Sequence, residues 1–495
     1  MNIIEQYMSD KHSHGKGKND SSVSRRTFVK AAGASGATVS LAGCIYGGES
    51  SSDAVTVGMD PNLIDAVGEE VVQLLADSGA DGIDIELQAG DEDTGDRRDT
   101  YTNLLQAGES QPDLLLMDNG WVNVFIQRGH IANLSDELDD DDLSTVQDEY
   151  FESFTATARH PDSDDLYGVP IFPDYPTMQY RKDYAREAGY GESDFDEWAT
   201  EPMTWQEWAE VTEEIVAASD ASYGLATQWD AYEGTSCCTW NEVMSSFGGA
   251  YFGGRDNLFG TVGDRPVTVD EPEFIEGLRM MRTFVADEHG EDTLDEYPTG
   301  IATPDITSWQ EEDAREAILG GEAVMQRNWP YAINQNTEVA KDPIPVEDYG
   351  AMPIPYGVTK DEAAQPGTGG STAALGGWHM TLNPNSQHTE DAIEVIRAMM
   401  TDDFNLGMFD LYGWIPPKPN LFDTQEAAEI EPMGNYLDTL RVAGENAMPR
   451  PVTLVWPNES TRIAEEVNAA VAGDKRPEDA AADLQGGLEE IEADG

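Results

Sequence analysis

The chain has 495 residues with 96 Asp and Glu against 28 Lys and Arg, a formal net charge of −68. With no basic patch to neutralise phosphates, nucleic acid is excluded as a partner, and 39% apolar residues including 11 Trp, 18 Tyr and 14 Phe exclude wholesale disorder. The length exceeds what one ordinary core serves, so two lobes are expected. Repulsion among so many acids is screened only when the Debye length falls to about 3 Å in molar salt, which fits an extreme halophile.

The first element is an export signal. Ser24-Arg25-Arg26-Thr27-Phe28-Val29-Lys30 is a twin-arginine run, followed by a mildly apolar stretch from Ala31 to Leu41. That stretch is too short and too weak to span a bilayer. Leu41-Ala42-Gly43-Cys44 then reads as a lipobox. Arg25 and Arg26 therefore predict export of the folded chain, and Cys44 predicts a lipid anchor; one acyl chain holds only marginally, so two are expected. Residues 1–44 form the signal and lipobox, and residues 45–53, rich in Gly, Ser and acid, form a flexible tether.

A strand is predicted over Ala54–Met59, then a helix from Pro61 to about Ser78. Gly82–Leu87 alternates apolar and polar residues as a half-buried strand does, and Asp113–Met117 is a short apolar strand. This β-α-β-α-β rhythm predicts an α/β fold with mainly parallel sheets. The acidic run Asp136–Asp142 lacks the alternating ligands and central glycine of a calcium loop and reads as a solvated surface. Pro202, Thr204 and Glu207 make a capping box for a helix through Trp208, Val211 and Ile215. Cys237 and Cys238 are adjacent, with Cα atoms about 3.8 Å apart, below the roughly 4.4–6.8 Å of an ordinary disulfide; no structural disulfide is expected. Gly367–Gly370 lacks the spacing of a nucleotide-binding fingerprint. Thr389 is expected to cap a helix whose buried stripe is Ile393, Ile396, Met399 and Met400. Pro477 fits the first position of a last helix running to about Ile491. No cofactor and no metal are expected.

Several stretches, taken in order, resemble the extracellular solute-binding proteins of the maltose/trehalose/maltodextrin type, family 1. They are Gln111-Pro112-Asp113-Leu114 to Asp118 with Trp121, Gly129-His130-Ile131, Leu166-Tyr167-Gly168-Val169-Pro170-Ile171, Tyr180-Arg181-Lys182-Asp183, and Pro202 to Trp208. Further along come Tyr232-Glu233-Gly234, Asn328-Trp329-Pro330-Tyr331, Gly376-Gly377-Trp378, Arg450-Pro451, and Ala472-Gly473 before Pro477. The resemblance implies a two-lobe clamshell of type II, joined by hinge crossings. Its N-terminal lobe would take residues 54–170 and 376–420, and its C-terminal lobe residues 171–375 and 421–495. It also implies binding without catalysis: a monomer on the outer face of the membrane that carries a sugar to the permease of an ABC importer with a cytoplasmic ATPase. Departures are the acidic insertions near residues 254–270 and 288–304 and the double cysteine after Glu233.

Sugars need acceptors for their hydroxyls and flat rings for their C–H faces. The matching positions give Asp118, Asp174 and Glu233 as carboxylates, and Trp121, Tyr232, Trp329, Tyr331, Trp378 and Trp456 as aromatics. Gly377 stands beside Trp378 as a further candidate contact, and Arg450 orders a carboxylate or reaches a hydroxyl. Two other readings use the same residues. A polyamine would welcome acids and rings in the same clamshell. A secreted glycoside hydrolase would need a carboxylate pair, but neither a zinc-binding His-Glu-x-x-His nor a Gly-x-Ser-x-Gly elbow is present.

Overall fold

A computed structural model describes residues 53–160 and 163–495. Arg25, Arg26, Cys44 and all but the last residue of the tether lie outside the described residues. In chain order the strands are β1 (Val55–Met59), β2 (Ile85–Ala89), β3 (Leu114–Asp118), β4 (Gly168–Asp174), β5 (Thr177–Arg181), β6 (Tyr223–Ala226), β7 (Ala323–Asn328), β8 (Tyr349–Met352), β9 (Ala373–Ala374), β10 (Gly376–Leu382) and β11 (Ala447–Met448).

The first sheet has the order β2-β1-β3-β10-β4. Strands β1, β2 and β3 pair in parallel because helices Pro61–Leu75 and Thr94–Ala107 carry the chain back between them. Strand β10 returns only after the whole second sheet has been made, and it pairs antiparallel with β3 and β4. The second sheet has the order β6-β7-β5-β8; β6 and β7 are parallel, while β5 is antiparallel to both its neighbours. The α/β clamshell thus has two mixed sheets, because the late strand β10 in the first and the early strand β5 in the second run against their neighbours. Each sheet has its own apolar core. One gathers Val55, Val57, Leu114, Leu116 and Val169 with Ile393, Ile396 and Met399. The other gathers Met178, Trp208, Trp240 and Met325 with Ile463, Val467 and Leu484.

Tyr175-Pro176 is all that separates β4 in the first sheet from β5 in the second. Leu375 alone separates β9 from β10, and β9 pairs in parallel with β11. These short crossings form the hinge between the sheets.

Local signals explain most element starts. Asp60 caps the helix Pro61–Leu75, accepting from the N–H groups of Asn62 (2.9 Å) and Leu63 (3.3 Å), with Pro61 in the first turn. Thr204 and Glu207 form the predicted capping box of the helix Trp205–Ala218: Thr204 N–H donates to Glu207 at 3.0 Å and Glu207 N–H to Thr204 Oγ1 at 3.2 Å. The last helix, Pro477–Asp494, starts on its proline.

Four local expectations change. Strand β2 starts three residues later and ends two residues later than the alternation placed it. It is an edge strand with half-buried residues, and Gly82 (φ +93°) still belongs to the turn before it. Thr389 is the first residue of the helix Thr389–Met399, and the cap position falls to His388. The acidic run does more than meet solvent: Asp139 caps the helix Asp140–Glu149, and Asp142 pairs with Arg397 at 2.8 Å. Finally, Cys237 and Cys238 are disulfide-bonded, with Cα atoms 3.7 Å apart. The separation rule describes cysteines on separate segments; neighbouring residues in a helical turn satisfy the bond differently.

Candidate functional site

Between the two sheets lies a cavity of about 620 Å³. The C-terminal ends of β3 and β4, the start of β10 and the start of the helix Glu311–Leu319 all open onto it, as expected where α/β sheets bind ligands.

Asp118 ends β3. Its carboxylate accepts the Gly120 N–H at 2.7 Å and pairs with Arg450 at 3.0 Å. Arg450 also reaches Glu233 at 3.2 Å, and Glu233 reaches Arg98 of the helix Thr94–Ala107 at 3.5 Å. Arg98–Glu233–Arg450–Asp118 is therefore a chain of alternating charges across the cleft. Arg450 lies flat over Gly120, where a Cβ would meet its Nη1 at 2.5 Å. Burial raises the Asp118 carboxyl above the ordinary range, and Arg450 pulls it partly back.

Asp174 ends β4 and Glu311 opens its helix; both line the cavity. Among the described residues neither forms an ion pair. Burial raises both carboxyls, Asp174 strongly; Arg327 partly offsets this at Asp174, and the Tyr232 hydroxyl does so first at Glu311, followed by its own backbone and Arg327. Arg327 is committed elsewhere: it pairs with buried Glu242 and lies 4.5 Å over the Trp329 ring. Glu311 accepts from Gln228 at 3.1 Å. The Tyr232 phenol is held above its usual range by burial and by Glu311 beside it.

The rings come from both sides. Trp378 follows Gly377 in β10, opposite Asp118 in register. Gly377 adopts φ +118°, and a Cβ there would collide with the Phe172 carbonyl. Arg97, fixed to Asp60 at 2.8 Å, covers one side of the Trp378 ring at 4.9 Å. Trp329 lies against Gly376, where a Cβ would meet the ring at 2.7 Å. Tyr331 donates to Glu312 at 2.7 Å and stacks near Tyr412, ring centres 6.5 Å apart.

Nine of the predicted contact residues line this one cavity: Asp118, Asp174, Tyr232, Glu233, Trp329, Tyr331, Gly377, Trp378 and Arg450. Trp121 and Trp456 do not. Each is 1% exposed. Trp121 supports Trp378 edge-on from beneath, ring centres 6.0 Å apart, and Trp456 packs near Tyr251. An indole at the start of a helix serves a core as readily as a cleft. Several lining residues were not foreseen: Glu311, Arg97, Arg98, Phe172 with Trp414, and the cysteine pair. Phe172 and Trp414 stack 4.2 Å apart. The run Tyr412-Gly413-Trp414, aromatics flanking a left-handed helix-ending glycine, is a signal that would have found Trp414.

The sequence profile of the bacterial extracellular solute-binding proteins matches residues 77–405. The chain belongs to this family. A relative in Deinococcus radiodurans, named "Probable ABC transporter-binding protein", is 24% identical over 379 residues, 75% of this chain and 77% of that one. Among solved structures, maltose-bound MalE3 of T. maritima is similar with a TM-score of 0.71 and 24% identity, covering 88% of this chain and 99% of that chain. The GacH receptor of Streptomyces glaucescens, solved free and with acarbose, has a TM-score of 0.67 and 17% identity, covering 89% and 98%. These structures show the clamshell fold. In a solute-binding protein of this fold, a cavity between lobes on a hinge is where closure engages a ligand.

Proposed function

We propose that this solute-binding protein takes up a sugar, from monosaccharide to oligosaccharide and trehalose- or maltose-like, outside the cell and delivers it to an ABC permease. The observation that carries the reading is the pairing of Trp329, Trp378 and Trp414 with Asp174 and Glu311 in one cavity. The rings offer flat apolar faces, and the two carboxyls, outside any ion pair, are polar groups that sugar hydroxyls can hydrogen-bond, Glu311 with the capacity that Gln228 leaves it. Family membership supports delivery rather than chemistry. So does the chain of charges, in which Arg450 holds Asp118 and Glu233 instead of leaving them as an acid–base pair. In this reading the lobes are 54–170 with 376–420 and 171–375 with 421–495. The mature chain is a monomer anchored by lipid at Cys44 after twin-arginine export.

A second reading has its own observation: carboxylates outnumber arginines among the lining residues, which suits a polyamine. Calorimetric titration of the protein in molar KCl with trehalose, maltose, maltotriose, glucose and spermidine separates the two. Micromolar binding of a sugar, weakened in Trp378→Ala, is the expected result. Binding of spermidine with silence from every sugar would replace the sugar reading by the polyamine one.

A further inference from the structure

The vicinal disulfide has no obvious structural task. A bond between residues 237 and 238 encloses no loop, so it lacks the loop-closure term by which disulfides ordinarily stabilise a fold. Its surroundings are nonetheless tightly organised. Residues Thr235–Thr239 form a π-helical turn leading into the helix Trp240–Ser246. Thr235 Oγ1 donates to the Asp230 carbonyl at 2.6 Å, and Thr239 Oγ1 to the Gln228 carbonyl at 3.0 Å. The Ser236 and Ser460 hydroxyls lie 2.6 Å apart, and Tyr251 donates to the Ser236 carbonyl at 2.5 Å. Every hydroxyl of the turn is thus bound to protein. Of these five residues, only Cys237 and Cys238 line the cavity.

We propose that the Cys237–Cys238 disulfide is a ligand-contacting face of the cleft, an apolar sulfur platform for the C–H surface of a sugar ring. This rests on reading the cavity as the ligand site. A disulfide has no N–H or O–H to satisfy, and its polarizable sulfurs gain dispersion contact with whatever covers them. Two free thiols would be separate rotors with weak donors. At 4% and 1% exposure the pair presents only a narrow apolar edge to the cavity, so the contact it offers a ring is small and local. The platform favours a pyranose over a hydrated cation, because neutral sulfur offers no charge.

The test uses the full chain in molar KCl, with the disulfide verified by thiol counting. Trehalose and maltose are titrated into the parent, Cys237→Ser/Cys238→Ser, Cys237→Ala/Cys238→Ala and Trp378→Ala. Both cysteine variants are expected to bind the preferred sugar about twofold more weakly, as loss of a small apolar contact predicts, and the alanine variant to melt within a few degrees of the parent because no loop is opened. A second readout needs no variant: reduction of the parent by a phosphine should slow when the sugar saturates it. Unchanged affinity in both double variants, or reduction equally fast with and without sugar, would overturn the platform. If Trp378→Ala loses binding while the cysteine variants do not, the cleft reading stands and the platform falls. If the parent binds neither sugar, the cleft reading fails and takes the platform with it.

Discussion

Asp174 ends a buried strand with no cation of its own, and its carboxyl responds by holding its proton to higher pH. Folding therefore takes up a proton at this site: the group favours the fold at low pH, and that contribution is lost as pH climbs through the raised folded value. Asp174→Asn is expected to be more stable than the parent at pH 7, with the gap closing as pH falls toward the ordinary carboxyl range. Melting curves across pH 4–8, about where carboxyls titrate, check this, and a gap independent of pH would contradict it. A cleft that keeps such a group despite its cost uses it for something other than stability. Trp378 belongs to the same logic, since one side of its ring is covered by Arg97 and the residue stays half-exposed at the cavity. Trp378→Ala should cost about 1.5 kcal/mol or more of binding, a loss of roughly tenfold or greater, read by calorimetry.

At the scale of elements, the acidic insertion near residues 254–270 is fixed to the last two helices by a buried arginine. Arg265 is buried between Glu459 of the helix Trp456–Ala472, at 2.9 Å, and Glu492 of the helix Pro477–Asp494, at 2.5 Å, with Phe252 beneath it. Burial and the neighbouring Glu492 push Glu459 upward. Removing the arginine strands two buried carboxylates, so Arg265→Met should destabilise by about 3–5 kcal/mol in denaturant melts; a loss under about 1 kcal/mol would show that the helices hold without it. The sequence revealed the elements whose cause is local: Thr204 with Glu207, Pro477, and the apolar runs of β1 and β3. It misplaced β2, where half-buried residues blur the alternation that marks a strand's ends. Nine of the residues it named line the cavity because the family's motifs fall in the segments that surround it. It grouped Trp121 and Trp456 with the cleft, whereas the structure buries both outside the cavity lining, because aromaticity does not say which way a ring faces. Glu311, Trp414 and the disulfide escaped because only folding brings residues 237, 311 and 414 to one cavity.

For the whole molecule, a net charge of −68 makes the solvent part of the stability. The ion pairs that cross the cleft, from Arg98 through Glu233 and Arg450 to Asp118, are local exceptions to that repulsion. Lowering salt below roughly molar lengthens the screening distance and should loosen the fold. Circular dichroism over a salt series reads this directly, and stability unchanged in dilute buffer would remove the halophile reading. The hinge bears on the same balance. Crossings as short as Tyr175-Pro176 and Leu375 leave the lobes few covalent constraints, so cleft contacts and long-range repulsion share control of closure.

The glycines of the cleft limit how its ligand range can be redesigned. Side chains such as Trp414 or Tyr331 can be trimmed to admit a bulkier guest. At Gly120 and Gly376 a methyl group already meets Arg450 or Trp329, and at Gly377 it meets backbone. That part of the mould is cast in main chain, so a library aimed at new specificity does best to vary the rings and leave these three positions untouched.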